Sequence, residues 1–540
     1  MLVVASQIRS SVQKPCYETT APPDLEPIEI IELRLPPAAP SSNIRSYSLD
    51  VNPLGSGCNL RSGGLVQLGS FLPDSKHVIA LVNFTGVPAA PDPASIYDGD
   101  QVIIIKADGE IFSNGSPWKC LTCGIPEDNA QGRTDALDYS QSFRDGKRLL
   151  VGTNILDCGI LDLASDECIP ERTYMYPLHW NTAVDRSGDG GTIRELRLHP
   201  DSMHIGFNSF TVVGGRLGQY AYMDRIVFNP SPATGLLLSP RYDIVNVTTL
   251  FNDATEYLPI LIEGGDLVGY PRESSNIDVF AVDLATGVVR RLTSHPGYCD
   301  PIDISADGEW IAIMDTRDSN RQEFIAGMRG IPPLTDLING VGDDSAGSFN
   351  DPLRNALADP RFSLDVTRVA YWQTLVQSPA CGGENPLSCP NYTEPGGRTE
   401  RAMLARFTSR QPKVVQPAAP MVETVPWDGL PSGSAKAVFI ETPDGSALSS
   451  VAVKYNKFSD DGLTILNGFE NVRSRNPSIM LNQVDWYSDL VQTGETHSKK
   501  NTSEDGFHLT IDELLNNFEA NGTLTTTING TEYTQPANGT

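Results

Sequence analysis

Arg194 and Glu195 stand side by side just before a hydrophobic anchor, Leu198, and Asp300 takes the place of Arg194 before a second anchor, Ile304. Two carboxyl groups facing each other across a channel are what glycoside hydrolysis needs. One is a protonated acid for the leaving oxygen, the other a carboxylate acting as nucleophile or base. Glu195 and Asp300 are the principal pair for that chemistry, and Glu273 is a third acidic candidate. Arg194, Arg317 and Arg321 supply guanidinium groups that pair with an anionic sugar such as a uronate, with Asp135 and His295 as further substrate-binding candidates. The plainer reading is that acids at such places cap turns or form ion pairs, and that the His295 ring is held by its own loop. His199 and His204 flank a turn, and strand alternation assigns them to different faces, so both read as structural. Seven histidines in all are few for a channel metal centre, so no metal or other cofactor is expected.

These residues are aligned by a phrase that occurs five times: FLPDSKHVIAL from Phe71, FRDGKRLLVG from Phe143, LHPDSMHIGF from Leu198, ISADGEWIAI from Ile304 and FSLDVTRVAY from Phe362. Each copy predicts a strand, a tight turn led by aspartate, and a second strand. Asp74, Asp145, Asp201 and Asp307 are therefore expected to be turn residues. A unit of this size cannot bury its own apolar face, so the copies must pack on one another, as in the blades of a β-propeller. The fourth and third residues before each anchor then fall at equivalent points of the inner strands. The first set is Gln67, Tyr139, Arg194, Asp300 and Ala358, and the second is Leu68, Ser140, Glu195, Pro301 and Asp359. The anchor steps are 72, 55, 106 and 58 residues, and the long one is expected to hide a blade around Phe251–Arg291, for six in total or seven.

A formal net charge of −27 over 540 residues argues against nucleic acid and anionic membranes as partners. No apolar stretch reaches the 18 or so residues of a membrane span. Of the nine cysteines, Cys120 with Cys123, Cys158 with Cys168, and Cys381 with Cys389 form close pairs; Cys16 with Cys58 is a fourth possible pair, leaving Cys299 odd. Such pairs, with eight N-x-S/T sequons, point to a secreted, disulfide-containing glycoprotein. The apolar block Leu2–Ala5 is too short for a secretory core, so the signal is expected to be missing from the chain. Motifs of α/β-hydrolases, P-loop NTPases and dinucleotide-binding folds are absent.

Composition divides the chain into a Pro-rich segment, 1–45, whose run IEIIELRL is a candidate ring-closing strand, a propeller over 46–410, a linker over 411–425, and a β-rich domain over 426–540. Within the last, TIDELLNNFEA predicts one helix capped by Thr510. The aromatics Tyr174, Tyr176, Trp180, Trp310 and Trp372 are candidates for stacking on a sugar or for the core, with Trp310 assigned to the core.

The Asp-Gly turn blades are of the TolB-like propeller type. Longer strings are more specific: GRTDALDYSQSFRDGKRLLVGTNILDCG, IRELRLHPDSMHIGFNSF, SNIDVFAVDLATGVVRRLTSHP, DPIDISADGEWIAIMDTRDSNRQEFIAGMRGIPP and SPACGGENPLSCP, with VAVKYNKFSDDGLTILNGFENV and NQVDWYSDLVQTG in the tail. Over nearly the whole chain these resemble the secreted saponin hydrolases of filamentous fungi. The resemblance implies extracellular cleavage of triterpenoid saponins at the glucuronic acid joined to the aglycone. It implies no catalytic residues, so the site candidates rest on blade geometry. The intervals Pro259–Gly269 and Gly340–Gly342 are shorter here than the resemblance implies. Two other classes fit the residues: a non-catalytic propeller that binds glycans or a protein, and a metal-dependent polysaccharide lyase.

Overall fold

In all five phrases the residue after the aspartate adopts a left-handed backbone: Ser75, Gly146, Ser202, Gly308 and Val366 have φ between 57° and 68°. The aspartate makes this turn possible. Its Oδ1 accepts the backbone N–H two residues on, from Lys76, Lys147, Met203, Glu309 and Thr367, so a donor that neither strand can pair is satisfied locally. In three copies Oδ1 also takes the next N–H, of His77, Arg148 and His204. The same three side chains clamp Oδ2: His77 Nδ1 at 2.6 Å, Arg148 Nε at 2.7 Å and His204 Nδ1 at 2.6 Å. The four aspartates expected at turns occupy them, and Asp365 is a fifth.

The computed structural model describes residues 2–5, 26–41, 43, 45, 47–60, 66–86, 92–180, 192–213, 216–233, 238–251, 261–262, 267–270, 280–284, 289–291, 299–315, 354–375, 400–416, 421 and strand segments between 450 and 534; some of these strands, including almost all of those after 450, are described by their backbone alone. The described residues are all-β apart from short 3-10 turns such as Pro93–Ile96. Sheet I contains Gln67–Phe71, His77–Thr85, Asp98–Lys106 and Trp118–Cys120. Sheet II contains Gln141–Ser142, Arg148–Val151, Asn154–Asp157 and Tyr174–His179, and sheet III Thr192–Leu198, His204–Val213, Arg216–Asn229 and Arg241–Phe251. Sheet IV, in the interval without an anchor, contains Leu261–Ile262, Leu267–Tyr270, Phe280–Asp283 and Val289–Arg291. Sheet V pairs Cys299–Ile304 with Ile311–Asp315, and Leu2–Ala5 adds to its edge. Sheet VI contains Arg354–Phe362, Arg368–Leu375 and Glu400–Phe407, and its outer strand is Ile28–Leu33, in register from Ile28 opposite Phe407 to Leu33 opposite Ala402. Each sheet is antiparallel, and a short parallel pairing of Leu178 and His179 with Tyr242 and Asp243 joins sheets II and III.

The first strands of the six sheets neighbour one another in the order V, VI, I, II, III, IV, a propeller-like succession. Alternation explains why the second strands read as unbroken apolar runs. In sheet I, Val78, Ala80 and Val82 point into the core shared with sheet VI, with Trp372 and Leu404. Ile79 and Leu81 point the other way, onto Leu149 and Leu156 of sheet II. A strand buried on both faces has no polar side to show. Side chains from the turns also stitch neighbours together. Ser202 Oγ accepts the N–H of Arg144 at 2.8 Å, and Ser75 Oγ that of Asp365 at 3.0 Å. These left-handed serines do work a glycine cannot, which explains their place in a turn that otherwise favours glycine.

Two of the close cysteine pairs, Cys120–Cys123 and Cys158–Cys168, are disulfides. Cys58 is buried with a free thiol, which corrects its pairing with Cys16; Cys16, Cys381 and Cys389 lie outside the described residues. The segment after sheet VI lies on the turns. Lys413 donates its backbone N–H to Asp365 O and its ammonium to Asp307 and Glu309, and Met421 N–H reaches Asp201 Oδ2 at 2.9 Å. The C-terminal strands, from Ser450–Phe458 to Thr531–Thr534, pair in one antiparallel sheet. The helix expected from Thr510 is not formed there: Phe507–Asp512 is a strand, with Thr510 paired to Gln483 on one side and Glu519 on the other. Phe507, Leu509 and Ile511 alternate with polar residues, and partners on both edges favour that period over helix propensity.

Burial by itself raises the carboxyls of Asp74, Asp201 and Asp307, but their hydrogen bonds from histidine, lysine, serine and backbone groups outweigh it and hold all three below the usual range. A depressed carboxyl contributes stability above its unfolded pKa and loses it as pH falls through the folded one. The melting temperature is expected to be flat from pH 5 to 7 and to fall below about pH 4. Asp201→Asn should cost about 2 kcal/mol at pH 7 and flatten that acid limb. A variant unfolding with the wild-type acid profile would contradict the assignment.

Candidate functional site

In the first strands of sheets I, III, V and VI the register slips at a bulge shortly before the anchor: between Leu68 and Phe71, Arg194 and Arg197, Cys299 and Ile302, and Leu357 and Arg361. Bulges re-aim side chains and concentrate beside active sites. Arg194 pairs with Asn208 at the edge of its bulge, Glu195 lies within it, and Asp300 lies within the corresponding bulge of sheet V. Asp359 lies within that of sheet VI. Glu195 and Asp300 thus each lie within a bulge of a first strand, at different distances from their anchors; their side chains are outside the described residues, as are Glu273, His295, Arg317 and Arg321 altogether. Asp135 is described, in an exposed loop between sheets I and II.

The residues next along each phrase enclose a cavity of about 120 Å³ at the turn end of the inner strands. Its wall repeats with the ring: Ser70 and Pro73, Ser142 and Arg144, His199 and Pro200, Asp303 and Ala306, Arg361 and Leu364. Asp303 and Arg361 are almost fully buried. Arg361 Nη1 lies 3.4 Å from Asp303 Oδ1, and Oδ2 accepts the N–H of Phe362, so the carboxylate links sheets V and VI. Gln141 is similarly committed, donating to Leu196 O at 2.6 Å and accepting from Leu198 N–H at 2.9 Å. Arg197, 1% exposed, has its guanidinium 5.3 Å from the centre of the Tyr139 ring. The anchor ruler reaches the repeating wall residues and Gln141, but only if it is read from two before to two after the anchor.

His199 and His204, expected on different faces, both meet Asp201. His199 Nδ1 accepts the Asp201 N–H at 3.1 Å, and His204 Nδ1 lies 2.6 Å from Asp201 Oδ2. The turn bends the chain between them, which strand alternation alone does not anticipate. One atom from each of the three residues lies within 4.8 Å of the others, a spacing open to a metal ion. Sheet I supplies the plainer reading: Asp74 and His77 have the same 2.6 Å contact with no counterpart of His199, so such a pair can serve as a turn clamp without a cation. Among the aromatics, Trp180 and Trp372 are core, Trp310 lies under Arg410 at 4.0 Å, and Tyr174 is 40% exposed beside Tyr176.

The fold therefore defines the class: an all-β protein with a propeller-like succession of sheets and a cavity at the ends of their first strands. No family model matches the chain and no curated protein is similar to it. Among solved structures it is similar to an oligogalacturonate lyase in complex with manganese, at 10% identity and a TM-score of 0.32, over 71% of this chain and 99% of that one. It is also similar to the tricorn protease, at 12% identity and a TM-score of 0.15, over 88% and 53% respectively. At these scores neither likeness bears on fold or chemistry.

If the histidine–aspartate group is a clamp, EDTA leaves the melting temperature unchanged and added zinc or manganese does not raise it. His204→Ala is then expected to cost about 2 kcal/mol by leaving the buried Asp201 carboxylate short of a donor. A drop of several degrees on chelation would identify a cation site instead.

Proposed function

We propose that the chain is a secreted glycoside hydrolase that cleaves the glucuronosyl–aglycone bond of triterpenoid saponins, on a six-bladed propeller followed by a small β-rich domain. The family strings support the substrate class. The observation that carries the site is the shared bulge, since Glu195 and Asp300 fall within it in two different inner strands. In this reading one of the pair, protonated, gives its proton to the glycosidic oxygen as the aglycone leaves. The other, ionised, attacks the anomeric carbon or takes a proton from the attacking water. Arg194, Arg317 and Arg321 bind the uronate carboxylate as bidentate partners, Asp135 and His295 line the approach, and Glu273 is held in reserve. The reaction needs no cofactor. The partner is the glycosylated small molecule, with neither nucleic acid nor membrane involved.

Purified protein incubated with a glucuronide saponin should release free aglycone, with or without chelator. Glu195→Gln and Asp300→Asn should each lower turnover by about 10²–10⁴-fold while the melting temperature holds. Folded wild-type protein that binds saponins without releasing aglycone would leave a glycan-binding ring and sink the hydrolase. Chelator-sensitive release of an unsaturated sugar would point to lyase chemistry.

A further inference from the structure

We propose that the aromatic patch between sheets II and III binds a neutral sugar, its ring stacked on Tyr174 and Phe228 beside the Asp157 carboxylate. The strand registers assemble this patch. Arg148, Asp157 and Tyr174 are partners across three strands of sheet II, so they share one face at the strand ends. Phe228 and Tyr242 are partners in sheet III. The two rows meet through their rings. Tyr176 lies 4.9 Å from Phe228 and 6.1 Å from Tyr242, and Tyr174 runs parallel to Tyr176 at 5.9 Å. Tyr242 is buried, while Tyr174 and Phe228 stay 40% and 41% exposed.

This arrangement selects the ligand. A caged cation needs aromatic faces around an open centre, but here the inner rings touch one another and leave an exposed apolar platform. A pyranose suits such a platform, because its C–H face packs on an aromatic ring while its hydroxyls need acceptors alongside. Asp157 is such an acceptor. Its carboxylate takes the Gly159 N–H at 2.7 Å and no other hydrogen bond among the described residues, so an oxygen is left for a sugar hydroxyl. Burial first, and then the Asp157 charge, push the Tyr176 hydroxyl up to about 12, so it stays protonated beside that acceptor. Arg148, the cation of the row, is committed to Asp145 at 2.7 Å and to the Tyr242 hydroxyl. An acidic sugar would set a second carboxylate beside Asp157, which is why the ligand is neutral.

The site does not depend on the hydrolase reading. It lies on the second, third and outer strands, away from the first strands that carry Glu195 and Asp300, and it is tested by binding without turnover. Saturation-transfer NMR of the full chain uses methyl β-glucopyranoside, methyl β-galactopyranoside, sodium glucuronate, sorbitol and choline chloride as probes. Saturable transfer to the ring C–H protons of at least one methyl glycoside is expected. Sorbitol, which has hydroxyls but no ring face, should show none, and glucuronate and choline should bind more weakly. Tyr174→Ala and Phe228→Ala should each weaken glycoside binding by about two- to tenfold, while Tyr174→Phe keeps it. If one alanine variant does not fold, the other decides. No transfer to either glycoside, sorbitol or choline binding as well as a glycoside, or wild-type affinity in a folded alanine variant would overturn the proposal. A dimer in sedimentation that Tyr174→Ala dissociates would also overturn it, by giving the patch to a second copy of the chain.

Discussion

The ring depends on a carboxylate accepting backbone N–H groups inside a turn. Each of Asp74, Asp145, Asp201, Asp307 and Asp365 satisfies donors that its two strands cannot reach, and so holds a left-handed residue between them. Where the donor is part-buried, as at Met203 and Thr367, leaving it without an acceptor costs up to about 1–3 kcal/mol, comparable with the penalty of the left-handed residue itself. Without the aspartate, neither the hairpin nor the direction in which the second strand leaves would be secured.

That local device also sets the distances between sheets. Because the turns are alike, their outer atoms arrive at equivalent places and can serve a neighbour. Ser202 accepts from Arg144 in sheet II, Ser75 from Asp365 in sheet VI, and Asp201 and Asp307 receive the chain that follows the last sheet. Once the turns are docked, alternation buries both faces of the second strands, with Val78 and Ile79 going to different cores. The N-terminal strand Ile28–Leu33 ties one end of the ring to the other, since its partner, Glu400–Phe407, is more than three hundred residues away.

The turns were legible because aspartate followed by a residue tolerant of positive φ is a local cause with a local effect. Val366 shows the limit: a β-branched residue takes the left-handed position where its side chain is buried in the core of sheets V and VI. Sheet IV was legible by spacing and by the hairpin pattern of NIDVFAVDLATGVVRRLT, since its inner part, YLPILIEGGDLVGYP, lacks the repeated phrase. The helix expected at Thr510 went wrong for the opposite reason: its composition favours a helix, but strands on both sides supply its hydrogen bonds.

The sequence by itself determined the repeat, the turn aspartates, the two described disulfides and the matching of Arg194 with Asp300 along the phrase, because each follows from chemistry within a few residues or from a fixed period. Tertiary structure alone decided that bulges fall where those acids lie, that His199 and His204 converge on one carboxylate, and that Arg144, Asp303 and Arg361 share a cavity. Those outcomes depend on how separate strands are docked, and docking is set by packing between residues that no local pattern brings together.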